Sequence, residues 1–107
     1  MSYQVEYTEK SEGDLKALSK TQARQVRKVI DRVAQNPLPR NEGGYGTPLG
    51  HKRGRDLTGL CRIKLLKLGI RVVYKVIRDK ETMKIIVIAA RSDEEVYEIA
   101  VARAKRD

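Results

Sequence analysis

Four cations, Arg62, Lys64, Arg71 and Lys75, with a fifth, Lys67, next to the expected turn, interrupt one of the most apolar stretches of the chain, "CRIKLLKLGIRVVYKV" at 61–76. Two strands joined by a two-residue turn at Leu68-Gly69 would sort these residues cleanly. Residue 67 then faces 70, 65 faces 72 and 63 faces 74. One face collects Cys61, Ile63, Leu65, Ile70, Val72, Tyr74 and Val76. The other collects Arg62, Lys64, Leu66, Arg71, Val73 and Lys75. A one-residue slip would carry Arg71 to the apolar face and bury a guanidinium. Like charges facing each other across a sheet repel, so such a cluster is either diluted by water or matched to an anion. Guanidinium groups fork onto phosphate oxygens and an ammonium adds a point charge. A phosphate-binding face is therefore the sharp reading, and a plainly solvated basic face the bland one.

Other residues could join this chemistry. Arg91 ends the apolar run "KIIVIAAR", and strand alternation points it the same way as Ile85, Val87 and Ala89, with the face left open. Tyr97 stands in the final helix, offset from the stripe of Val96, Ile99 and Ala100. It could stack on a base or share in proton transfer, or simply pack its ring against the sheet edge. A second basic group, Lys52, Arg53 and Arg55, lies beside His51, the only histidine. His51 and Cys61 are ten residues apart with no further ligands near them, so no metal site is expected. "GTPLGHKRGR" lacks the residue order of a phosphate loop. No carboxylate is expected on the cationic face, which leaves fixed positive charge as its main chemical resource.

The elements that must position these groups follow from periodicity and caps. Residues 3–7 alternate as a short strand, and Thr8 to about Leu18 forms a helix weakened by Gly13. Ser19 with Gln22 makes a capping box. The next helix carries Val26, Val29, Ile30 and Val33 on one stripe and ends at Pro37 and Pro39. Residues 40–59 show no usable periodicity and read as a flexible basic arm or a tolerated surface insertion. Strands follow at about 60–66, 70–77 and 84–91, the last apolar enough to be covered on both faces, or on one with small groups opposite. Ser92 with Glu95 makes a second capping box and opens a final helix to about Lys105, acidic at its start and basic at Lys105 and Arg106. The order β α α β β β α predicts an α+β class with one antiparallel sheet.

The composition is consistent with this. The 107 residues suffice for one domain, 1–107, and lack Trp and Phe, so Leu, Ile, Val and Tyr must build the core. A formal charge of +9 points to a polyanionic partner, nucleic acid before others. The single Cys61 allows no internal disulfide and reads as a small buried hydrophobe. No signal peptide or long apolar run is seen, so a soluble cytoplasmic protein without membrane contact is expected.

"RIKLLKLGIRVVYKV" followed by "ARSDEEVYEIAVAR" resembles the RelE branch of the RelE/ParE superfamily, the toxins of bacterial type II toxin–antitoxin pairs. The resemblance covers nearly the whole chain and is strongest over 57–103. It implies a small four-stranded antiparallel sheet, with two N-terminal helices packed on one face and a C-terminal helix. It further implies a messenger RNA interferase that needs no metal or cofactor, acting in the ribosomal A site. The substrate's 2′-hydroxyl would be the nucleophile, leaving a 2′,3′-cyclic or 3′-phosphate and a 5′-hydroxyl.

Carried over by position, the resemblance places the catalytic site on Arg62, Lys64, Arg71, Arg91 and Tyr97. Arg62 stands where the family's best-known pattern has Lys, and an Arg is a poor proton acceptor. Arg71 and Arg91, with Arg62, would stabilise the charge of a phosphorane-like transition state. Lys64, crowded by other cations, could take the 2′-hydroxyl proton or act as one more electrostatic contact. Lys52, Arg53, Arg55 and Lys75 would contact RNA or ribosome. Such limited acid–base machinery makes substrate positioning by the ribosome a large part of the rate. The implied partners are the ribosome with its messenger and an acidic, partly disordered RelB-type antitoxin that displaces the final helix or covers the cationic face; the free toxin is expected to be a monomer. Two alternatives stand: a ParE-like gyrase inhibitor, which typically lacks the Lys64, Arg91 and Tyr97 set, and a non-catalytic RNA- or ribosome-binding protein.

Overall fold

The computed structural model describes residues 2–105. Arg106, expected at the basic end of the last helix, lies outside them. Five strands form one sheet: β1 (Gln4–Tyr7), β2 (Thr47–Lys52), β3 (Arg55–Leu65), β4 (Ile70–Ile77) and β5 (Thr82–Ala89). Their spatial order is β1-β5-β4-β3-β2. Among the described residues three α-helices accompany them: α1 (Glu9–Lys16), α2 (Lys20–Val33) and α3 (Asp93–Ala104). No helix among the described residues is long and apolar enough to cross a membrane.

The class is α+β, as expected, but the sheet differs from a four-stranded antiparallel one in two ways. β1 runs parallel to β5, with Gln4 opposite Thr82 and Tyr7 opposite Ile85. A four-residue strand carries no internal signal for its direction, which its docking partner sets. The second difference is β2, which lies within the stretch expected to be a flexible arm. It pairs with β3 from Thr47 opposite Arg62 to Lys52 opposite Arg55. The turn between them is Arg53-Gly54, both at positive φ (50° and 81°), which suits the twist of a two-residue hairpin. A turn with Arg in its first position hides this hairpin from a search for Asn-Gly or Asp-Gly.

Both N-caps form, but only the first is a complete capping box. Ser19 accepts the Gln22 N–H while the Gln22 side chain reaches back to Ser19 N–H. Ser92 accepts the Glu95 N–H at 3.2 Å, while the Glu95 carboxylate accepts from the Ser92 hydroxyl in place of its N–H, so the expected second box is only half formed.

The β3–β4 pairing differs in register from the expectation. Leu65 faces Ile70, Ile63 faces Val72 and Cys61 faces Tyr74. The connection is a four-residue loop at 66–69, with Gly69 at φ 67°, so Leu66 lies in the turn and not on the sheet. The shift is two residues, and side chains alternate with period two, so the division of faces survives unchanged.

One face of the sheet packs on α1 and α2. Leu15, Val26, Ile30 and Val33 meet Cys61, Ile70, Val72, Tyr74, Met83, Ile85 and Ile88 there. Cys61 is buried as expected, and burial pushes its thiol pKa up. The opposite face, which carries the cations, is not left bare. α3 lies on it, and Val96, Tyr97 and Ala100 close a second core over Leu49, Leu57, Leu60, Val73, Ile86 and Val87.

Coverage on both faces accounts for the nearly continuous apolar run of β5. A bulge between Val73 and Tyr74 of the β4–β5 register lets both Ile86 and Val87 point toward α3. Ile85 and Val87 therefore lie on opposite faces, and simple alternation fails across this strand.

Candidate functional site

Arg62 and Lys64 are two residues apart on β3, so they share the α3 face. Arg71 on β4 stands directly opposite Lys64. The N-terminus of α3 descends onto this group. Ser92 fixes where the helix begins, and its first residue, Asp93, is thereby set over the cations.

Asp93 accepts a hydrogen bond from Arg71 Nε, lies 3.3 Å from Lys64 Nζ and 3.9 Å from Arg62 Nη1. The expectation of a cationic face without a carboxylate is thus corrected. "SDEE" reads as a cap along the chain, and only the docking of α3 on this face brings its acid to the cluster. Partial burial opposes ionisation of Asp93, but hydrogen bonds from Arg71 and Lys64 outweigh it and hold its carboxyl below the usual range. Three cations against one carboxylate leave a local charge of +2.

Tyr97 follows Asp93 by one helical turn and is buried, so it belongs to the core after all. Its hydroxyl nevertheless reaches the cluster, where Arg62 Nη1 donates to it at 2.5 Å. Tyr97 thus anchors α3 through its ring and orients Arg62 through its oxygen. Arg91 enters differently from the expectation. Its carbonyl accepts from Arg71 Nη1 at 2.5 Å, while its own guanidinium is largely exposed and turns to Glu95 at 3.2 Å. Arg71 is therefore held at two points of its fork, by Asp93 and by the Arg91 backbone.

The β2–β3 hairpin brings the second basic group to the same place. Arg53 lies 3.2 Å from Glu94, and Arg55 lies 3.3 Å from Glu98. Lys52, Arg53, Arg55, Arg62, Asp93 and Tyr97 border a cleft of about 380 Å³ between the hairpin and α3. Lys75 stays apart. It sits opposite Leu60 and Lys84, four residues along β4 from Arg71, a separation of roughly 13 Å for an extended strand.

No family model matches the chain. The mRNA interferase toxin RelE of Escherichia coli (strain K12) is 29% identical over 103 residues, covering 96% of this chain and 98% of that protein. Among solved structures, a free-state E. coli toxin RelE with two arginines changed to alanine superposes with a TM-score of 0.76. It is 28% identical over 96% of this chain and 98% of its own. The same E. coli mutant toxin in complex with an antitoxin RelBc peptide gives a TM-score of 0.62 at 26% identity, covering 94% and 96% of the two chains. In sequence and in fold alike, the chain is similar to the RelE toxins.

Proposed function

We propose that the chain is the toxin of a type II toxin–antitoxin pair, an endoribonuclease that cuts messenger RNA in the ribosomal A site and so stops translation. The observation that carries this reading is the Asp93 carboxylate within reach of three cations together, one oxygen toward Arg62 and Lys64 and the other toward Arg71. A point that one carboxylate can share among three cations is a point at which they can grip one phosphodiester.

In this mechanism the scissile phosphate takes the place of the Asp93 carboxylate. The 2′-oxygen attacks phosphorus, the bond to the 5′-oxygen breaks, and a 2′,3′-cyclic phosphate and a 5′-hydroxyl result. Arg71 and Arg62 stabilise the extra charge of the pentavalent state, at positions already fixed by the Arg91 carbonyl and the Tyr97 hydroxyl. Lys64 is the nearby amine able to exchange a proton with the 2′-oxygen. Arg91 reaches the leaving oxygen only by giving up Glu95. Lys52, Arg53 and Arg55 line the approach. The ribosome supplies the in-line geometry that this site cannot impose alone. The partner that restrains the toxin is an acidic RelB-type antitoxin, whose charge complements the +9 of this chain.

The test is induction of the chain in a bacterial cell, with messenger 5′ ends mapped by primer extension. In-frame breaks inside translated codons are expected. Equal cutting of naked RNA and of messenger on translating ribosomes would contradict the mechanism.

A further inference from the structure

Two large apolar side chains stand exposed among the described residues, Tyr45 (56% exposed) and Leu66 (83%). They are far apart in sequence but border one cleft of about 320 Å³, together with Arg40, Arg62 and Lys64. Arg62 lines this cleft and also the one beneath α3, so the two meet at the cationic cluster.

Tyr45 is held outward by a rigid frame. Its N–H donates to the Asn36 carbonyl at 3.0 Å, Gly46 N–H to Leu38 at 3.1 Å, and Arg40 N–H to Gly46 at 2.8 Å. Both flanking glycines are packed too closely to carry a side chain. A Cβ on Gly44 would lie 2.0 Å from the Leu38 oxygen, and one on Gly46 would lie 2.2 Å from the Tyr74 hydroxyl. The Glu42–Arg78 fork, at 2.7 and 2.8 Å, ties the same segment to the end of β4. An aromatic ring fixed on such a frame, with an aliphatic wall and three cations around it, has the composition of a nucleotide stacking platform.

We propose that this cleft is a subsite for one unpaired base of the RNA strand, stacked on Tyr45 against Leu66, with its backbone phosphates on Arg40 and on the Arg62–Lys64 pair. The proposal rests on the reading of the chain as an RNA-cleaving toxin and adds where a nucleotide next to the cut is held. A free charge face would need no aromatic, and an apolar protein partner would not need three cations.

The probe is a short oligoribonucleotide, 2′-O-methylated so that it cannot be cut, with 2-aminopurine placed at each position in turn. Binding to the native chain is expected to quench the fluorophore at one position. Tyr45→Ala should abolish that quenching and weaken binding about tenfold, while Tyr45→Phe preserves both. Leu66→Ala should weaken binding by a smaller factor. An abasic nucleotide at the quenched position should remove the difference between native and Tyr45→Ala chains.

Retained quenching, or affinity within about twofold in Tyr45→Ala, would overturn the subsite. So would unchanged RNA binding with lost binding of the antitoxin, which would assign the cleft to protein. The two readings fail separately. Messenger cutting that ignores Tyr45 sinks the subsite alone, and Tyr45-dependent quenching without any cutting sinks the nuclease alone.

Discussion

Asp14 of α1 and Arg103 of α3 form a two-pronged ion pair, at 2.6 and 3.2 Å, across the half of β5 that β1 does not cover. Both side chains are about four-fifths buried. The pair also completes the backbone of the sheet edge. Ile88 N–H donates to Asp14 at 3.0 Å, and Arg103 donates to the Ile86 carbonyl at 2.9 Å. One contact therefore seals an exposed edge and pins the C-terminal half of α3, the helix whose other end carries Asp93 and Tyr97.

Asp14→Ala removes the carboxylate from Arg103, which keeps only the Ile86 carbonyl, and leaves the Ile88 N–H without its acceptor. A loss of about 2–3 kcal/mol in unfolding free energy is expected, because breaking one side of a partly buried pair strands the other. Amide exchange should rise along α3 more than along α2. Equal protection of the two helices in the variant would show that the pair does not secure α3.

Asp93→Asn raises the local charge from +2 to +3 and removes the competitor for the phosphate position. Binding of uncleavable RNA should tighten several-fold, with a steeper fall as salt is added. If cleavage collapses while binding stays the same, Asp93 takes part in proton transfer and is no mere counter-ion. The native acid profile has its own signature. The folded-state pKa of Asp93 is depressed, so its stabilising contribution is complete above the unfolded value of about 3.9 and is lost as pH falls through the lower folded value. The native chain should lose more stability in that window than Asp93→Asn, as measured by urea unfolding at each pH.

Arg71 and Lys75 are both cations of β4, but only Arg71 lies in the cluster. Arg71→Ala is expected to lower the rate of messenger cleavage on ribosomes by about 10²–10³-fold, the range for loss of one fixed donor to a developing oxyanion. Arg71→Lys keeps charge without the fork and should recover only part of the rate. Lys75→Ala should remain within a few-fold of native. A Lys75 variant as damaged as Arg71→Ala would mean that total charge, not local geometry, sets the rate.

Tyr97→Phe separates the two tasks of that residue. The ring still fills the core under α3, so stability should change by no more than about 1–1.5 kcal/mol, the scale of one hydrogen bond. The cleavage rate should fall by about tenfold as Arg62 loses its positioning contact, with RNA affinity little altered. A rate unchanged from native would remove the hydroxyl from the mechanism.

The chain by itself determined whatever depends on local chemistry and parity. Ser19, Gln22 and Ser92 set helix starts through hydrogen bonds spanning three residues, and the stripe of Val26, Ile30 and Val33 chose the buried side of α2. The separation of Arg62, Lys64 and Arg71 from the β3–β4 core faces was legible even though the assumed turn was two residues out of register, because an even shift leaves every side chain on its own face. Resemblance in the RelE pattern named the same cations.

Tertiary structure alone decided what those cations meet. Nothing near Asp93 in sequence says that α3 will cross the basic face, so the carboxylate at its centre and the buried Tyr97 emerge only once the sheet is covered on both sides. The Ile86–Val87 bulge, the parallel docking of β1 and the turning of the Arg91 guanidinium toward Glu95 are likewise choices made by partners distant along the chain. Caps and alternation act through neighbours a few residues away. Counter-charges and covering helices act through space, and for them spacing along the sequence carries no record.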